Sequence, residues 1–208
     1  MKNLNIIPLM LKPKSICLRE GDAQIYSLQN FLSEKVCKEL IEESKHFLTP
    51  SKVGSEYGVI VDSSVRTSST AKLSEVSDNP MIAEVHSMLF DLYGYFELPG
   101  DPVSVHNYQL GQEFKDHHDF HDTEKRKERI AKEGQRTWTF VVYLDEDFEG
   151  GETVFPELDL TVVPKTGQLL AWNNLSSTGE GNTKTLHRSN PVTKGEKNII
   201  TKWFRSFI

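Results

Sequence analysis

Four of the chain's seven histidines, His106, His117, His118 and His121, lie between Val105 and Asp122. Imidazoles clustered beside carboxylates call for a geometric test. On a strand, residues two apart project from the same face. His117 and Asp119 therefore point together, and His118 points away. One imidazole nitrogen and one carboxylate oxygen make two adjacent corners of a metal site. A third ligand must come from elsewhere, and His187, on a late strand, can supply it across an antiparallel barrel. Two histidines and one carboxylate on one face leave about three positions open on an octahedral metal, the donor set with which non-haem Fe(II) takes a co-substrate and O₂. A rival arrangement puts His117 and His121, four apart, on one helix face as in zinc hydrolases. There His118 stands where such a site needs a glutamate.

A cation accompanies the cluster. Downstream of His187, Pro191 and Gly195 bracket a turn, and Lys197 opens the following strand. If that strand pairs back against the strand of His187, the ammonium faces the metal's cavity from several ångströms away. A dicarboxylate chelating the metal at one end would ion-pair with Lys197 at the other.

The elements that must position these residues change in texture near residue 100. Before it, helical periods dominate. Residues 25–32 read as a strand and turn. Ser33 caps a helix whose apolar positions are Val36, Leu40, Ile41, Phe47 and Leu48, ended by Pro50. Asn79-Pro80 starts a second helix with Ile82, Val85, Leu89 and Leu92 along one stripe, closed by Gly94. After residue 100, short β-like runs separated by turns take over: 103–108, 137–144, 160–163, 168–172, 183–187 and 197–207, with Gly150-Gly151 as a turn. That spacing is that of an antiparallel sandwich or jelly roll with helices outside it, an α+β, mainly β fold. Residues 122–133 are charged at nine of twelve positions, which marks a solvated surface segment or a lid beside the site.

Composition bounds the function. The 208 residues are 37% hydrophobic and 26% charged, as expected of a globular chain. With 24 basic and 30 acidic side chains the formal charge is −6, which disfavours gripping nucleic-acid phosphates. Two cysteines, Cys17 and Cys37, cannot build a disulfide framework or a four-cysteine zinc site. No apolar run approaches a membrane span. The start, Leu4 to Leu11, is broken by Asn5 and Pro8 and lacks a small-residue cleavage site. A cytoplasmic location is the expectation, and oligomeric state is not readable.

Four ordered motifs go further. Tyr108-x-x-Gly111-x-x-Phe114-x-x-His117-x-Asp119-Phe120 is the first. Arg136 to Leu144, followed by Gly150-Gly151-Glu152-Thr153-x-Phe155-Pro156, is the second. Leu186-His187-x-x-x-Pro191-Val192-x-x-Gly195-Glu196-Lys197 with Thr201-Lys202-Trp203 is the third, and Val65-Arg66-Thr67-Ser68-Ser69 the fourth. Together, over about residues 22–208, they resemble the prolyl 4-hydroxylase-like 2-oxoglutarate/Fe(II) dioxygenases.

The resemblance implies a double-stranded β-helix with supporting N-terminal helices. It implies one catalytic domain over residues 22–208 behind an extension of residues 1–21. It places Fe(II) on His117, Asp119 and His187, and the distal carboxylate of 2-oxoglutarate on Lys197. Tyr108 and Tyr143 stand where the family bonds the co-substrate, and Thr185 and Trp203 would line the same cavity. Arg66, Ser68 and Arg136 match substrate-side positions of collagen-type prolyl hydroxylases, with Arg136 grouped among the catalytic residues. The implied reaction uses O₂, releases succinate and CO₂, and is supported by ascorbate as reductant. A proline-containing peptide or protein leads the substrate classes, ahead of a free amino acid or other small metabolite. A non-catalytic 2-oxoglutarate-binding barrel is the reading from a different class. Asp119 separates the chain from related halogenases, which lack the carboxylate. Lys197 and the acidic balance separate it from DNA-alkyl repair relatives, which anchor the co-substrate with arginine. Thr70 stands where the family often has glycine, and Arg205 where some relatives have histidine.

Overall fold

The computed structural model describes residues 15–55, 58–94 and 101–207. The reading of residues 1–11 as no signal peptide and most of the extension therefore lie outside the described residues. Two antiparallel sheets organise the rest. The major sheet runs in space as Ile16–Arg19, Ile25–Leu28, Leu169–Asn173, Gln135–Tyr143, Lys197–Ser206, Ser104–Tyr108, Ser69–Ala71 and Thr49–Pro50. The minor sheet runs as Leu160–Val162, Thr153–Phe155, His187–Ser189 and Phe114–His117.

The central strand Gln135–Tyr143 explains the layering. Its side chains alternate between faces. Trp138, Phe140 and Val142 join the cluster with Cys37, Leu40, Ile82, Val85 and Leu89 from the helices Glu34–Lys45 and Pro80–Tyr93. Val141 and Tyr143 join the opposite cluster with Phe155, Val162 and Val192. Both faces are covered, so the strand reads as a continuous apolar run rather than an alternating one. The partner strand obeys the same rule: Ile200 and Phe204 face the helices, and Lys197, Ile199, Thr201 and Trp203 line the cleft between the sheets. This is a double-stranded β-helix with helices packed on the outside of the major sheet.

The helix ends follow their caps. The Ser33 side chain accepts from the Val36 amide, and the Asn79 side chain from Met81. Gly94 closes the second helix in a left-handed conformation at φ 66°.

Three expectations need correction. The first helix stops at Lys45, not Pro50, and Thr49–Pro50 pairs with Ser69–Ala71 at the sheet edge. Residues Thr183–Thr185 form a 3₁₀ turn, and the strand begins only at His187. Lys197's strand pairs with Ser104–Tyr108 and Gln135–Tyr143, so Lys197 meets the His187 strand across the barrel and not as its neighbour. Apart from these, strand Ile16–Arg19 pairs with Ile25–Leu28 and forms one edge of the major sheet.

Candidate active site

His117 ends the strand Phe114–His117, and the chain leaves the sheet there, so Asp119 reaches the cavity from the loop beyond. His187 pairs directly opposite His117 in the minor sheet. One ligand atom each of His117, Asp119 and His187 lies within 4.8 Å of the others. His117 Nε2 is 3.7 Å from Asp119 Oδ1, and His187 Nε2 is 3.6 Å from Oδ2.

The tautomers are set from behind. Nδ1–H of His117 donates to the Lys115 carbonyl at 2.7 Å, and Nδ1–H of His187 to the Thr185 carbonyl at 3.0 Å. Each ring thus turns a bare Nε2 toward Asp119, the arrangement a metal needs. Burial pushes both imidazoles toward the neutral form, His117 down to about 3. Burial alone would raise the Asp119 carboxyl. Facing His187, His117 and Arg136, and accepting the Thr139 hydroxyl, it lies instead at about 2. Neutral histidines and an ionised carboxylate are the protonation states that bind a divalent ion.

Lys197 is completely buried. Its Nζ donates to the Gly151 carbonyl at 2.6 Å and to Ser189 Oγ at 2.7 Å, and no carboxylate of a described residue pairs with it. Burial draws its pKa down to about 7, against the pull of Asp145 and Glu152. A buried ammonium short of an anion is costly, and a co-substrate carboxylate would remove that cost. Gly151 permits the close approach: a Cβ there would stand 3.0 Å from Lys197 Cδ and 2.9 Å from the Phe148 ring, at φ 66°.

The metal ligands and Lys197 share one cleft of about 420 Å³, counted with its open mouth. Tyr108, Trp203 and Arg66 line it. Arg66 is buried, donates to Ser68 Oγ (2.8 Å) and Tyr108 Oη (3.4 Å), and lies over the Phe114 ring, which stacks on His117. Ser68 thus holds Arg66 instead of facing the cleft. Tyr143 donates to Thr153 Oγ1 at 2.7 Å, within 5.8 Å of Lys197 Nζ from its ring centre.

Two expected residues work differently. Thr185 turns its hydroxyl onto the Asn182 carbonyl and meets the site only through the carbonyl that orients His187. Arg136 lies behind Trp203, 3.8 Å from its ring centre, paired with Asp101 at 2.7 Å. The zinc-helix arrangement does not occur. Residues 118–121 form no helix, and His121 is buried apart from the ligand cluster, with its backbone clamped by the Gln135 side chain at 2.7 Å from both its N–H and its carbonyl.

Sequence reading missed Thr139, whose hydroxyl donates to Asp119 Oδ2 at 2.7 Å, and Thr153 and Trp172 in the wall. The signal for Thr139 was present, since it shares strand parity with Tyr143. Trp172 gave none beyond its place in a strand.

Comparison with known proteins agrees with this geometry. The 2OG-Fe(II) oxygenase superfamily matches residues 103–205. Probable prolyl 4-hydroxylase 8 of Arabidopsis thaliana is 32% identical over 203 residues, covering 88% of this chain and 69% of that protein. The chain belongs to the prolyl 4-hydroxylase family of 2-oxoglutarate/Fe(II) oxygenases. The prolyl 4-hydroxylase subunit alpha-2 of Gallus gallus is 29% identical over 184 residues, which are 88% of this chain but only 32% of that subunit's length. Among solved structures, the viral collagen prolyl hydroxylase of Paramecium Bursaria Chlorella virus-1, a 2OG complex, superposes with a TM-score of 0.67 at 25% identity over 88% of this chain and 96% of its own. The Trichoplax adhaerens prolyl hydroxylase, in complex with a hypoxia inducible factor peptide fragment, gives 0.69 at 16% identity over 98% and 90%, a likeness of fold. Family membership thus agrees with the donor set: His117, Asp119 and His187 fit Fe(II), and Lys197 fits a carboxylate.

Proposed function

We propose that this prolyl 4-hydroxylase relative hydroxylates prolyl residues in a peptide or protein, using Fe(II), 2-oxoglutarate and O₂. The observation that carries the reading is one cleft holding three convergent metal ligands and a buried ammonium that no carboxylate of a described residue pairs with. Bound Fe(II) and 2-oxoglutarate supply O₂ activation, with release of succinate and CO₂. The chain's residues do the positioning. Lys197, fixed by Ser189 and Gly151, takes the distal carboxylate in a site where burial leaves the ion pair little screened. Thr153 lines the wall beside it and accepts from Tyr143, which stands behind that wall, and Tyr108 lies under the ammonium at 5.2 Å. Thr139, donating to Asp119, would hold that carboxylate in place for the metal. Arg66, and Trp203 backed by Arg136, face the substrate.

The names of the relatives support a polypeptide substrate. Exposed Cys17 and buried Cys37 are both free thiols, which supports a reducing, cytoplasmic setting. No helix among the described residues is long and apolar enough to cross a membrane. The same reading takes residues 22–208 as one catalytic domain. The test is to supply proline-containing peptides with Fe(II), 2-oxoglutarate and ascorbate. Succinate release should rise with peptide and match a mass gain of one oxygen atom per turnover. Succinate release that is indifferent to every peptide would move the substrate to a free amino acid or other small metabolite.

A further inference from the structure

The strand Lys197–Ser206 breaks register with Gln135–Tyr143 between Phe204 and Arg205, and the break sets Arg205 directly opposite Arg136. Bulges of this kind re-aim a side chain, often beside an active site. Two like charges facing each other across a ladder repel. Asp101 answers that repulsion. Its Oδ2 accepts from Arg205 Nε at 2.7 Å and from Arg136 Nε at 3.0 Å, while Oδ1 accepts from Arg136 Nη2 at 2.7 Å. Lys202 Nζ donates to the Asp101 backbone carbonyl at 2.6 Å, holding that segment to the same strand.

The chain of charges continues outward. Arg205 Nη1 donates to Glu133 Oε2 at 3.0 Å, and the same oxygen accepts from Arg129 Nε at 2.9 Å. Both Arg129 and Glu133 belong to the helix Lys127–Glu133 in the charged segment. Alternating signs therefore run from a surface helix through Arg205, only 1% exposed, to Arg136. At its inner end Arg136 stacks on Trp203, a wall of the cleft, and reaches the Asp119 backbone carbonyl at 3.4 Å. Stability alone does not account for such a cluster, because a packed apolar group in its place is often as stable.

We infer that Arg205 is a positioning residue for the substrate side of the cleft: by holding Asp101 against Arg136 it fixes the guanidinium behind Trp203, and through Glu133 it ties the helix Lys127–Glu133 to that wall. The inference deepens the proposed hydroxylase reading, and its readouts are separable from it.

The experiment compares wild type with Arg205→Ala, Arg205→Lys and Glu133→Gln. Trp203 emission, assigned by difference from Trp203→Phe, needs no turnover. It is expected to shift in Arg205→Ala and less in Glu133→Gln. Lysine offers one ammonium where the guanidinium bridges two carboxylates, so Arg205→Lys should restore the signal only in part. With a peptide substrate in hand, Arg205→Ala should raise its half-saturation about tenfold or more, a displacement effect of the usual size. The 2-oxoglutarate titration should stay unchanged. A variant that loses thermal stability but keeps wild-type Trp203 emission and peptide saturation would overturn the inference. Should Arg205→Ala fail to fold, Arg205→Lys and Glu133→Gln decide by the same readouts. If wild type binds no 2-oxoglutarate at all, the hydroxylase reading falls, while Trp203 emission still judges Arg205.

Discussion

Lys197 must carry a proton to meet a carboxylate, yet burial lets it hold that proton only up to about pH 7. Below that pH the ammonium is ready. Above it, binding has to take up a proton, so 2-oxoglutarate affinity should fall by as much as about tenfold per pH unit. A co-substrate titration across pH 6 to 9 checks this (roughly the span set by that pKa). Lys197→Arg, charged throughout, should flatten the slope, and a slope that persists in it would clear Lys197 of the role. Thr139 makes a second residue-scale case. Its hydroxyl fixes one Asp119 oxygen, and partners of this kind are typically worth about 10–100-fold in metal affinity. Thr139→Val should therefore weaken Fe(II) binding by about tenfold, read by anaerobic metal titration, with 2-oxoglutarate binding at saturating metal preserved.

At the scale of elements, the turn before Leu169–Asn173 meets residues 31–32 through backbone hydrogen bonds. The Gly167 carbonyl accepts from the Phe31 and Leu32 amides, and a Cβ on Gly167, at φ 74°, would lie 2.1 Å from the Leu32 carbonyl oxygen. Gly167→Ala should cost more than about 1 kcal/mol, measured by urea unfolding. An unchanged midpoint would mean that the loop gives way freely. Elements also show what was legible in the sequence. Period-two alternation reports which face a residue takes, so Lys197 and Trp203 fell on the cleft side, with Ile199 and Thr201 between them. Alternation does not report which strand lies alongside, and for that reason Lys197's neighbours were misassigned. Thr183–Thr185 looked like strand because it is rich in β-branched residues, yet Asn182 caps it locally as a 3₁₀ turn. The bridge from Asp101 to two arginines had no local signature, since its partners stand 35 and 104 positions away.

For the whole molecule, the metal ligands and Lys197 come from both sheets, so ligands that bind here should brace the barrel against unfolding. At about 100 times its dissociation constant a ligand adds roughly 2.7 kcal/mol. For a chain of this size that corresponds to a rise of roughly 5–10 °C in Tm. Anaerobic Fe(II) with 2-oxoglutarate should produce such a rise in wild type and a smaller one in Lys197→Ala. The most direct test of the site is the visible charge-transfer absorption of 2-oxoglutarate added to anaerobic Fe(II)-loaded protein, measured beside His187→Ala. A band in wild type that disappears in the variant is the expected result. Wild-type protein that holds iron yet gives no band would contradict a shared metal and co-substrate site.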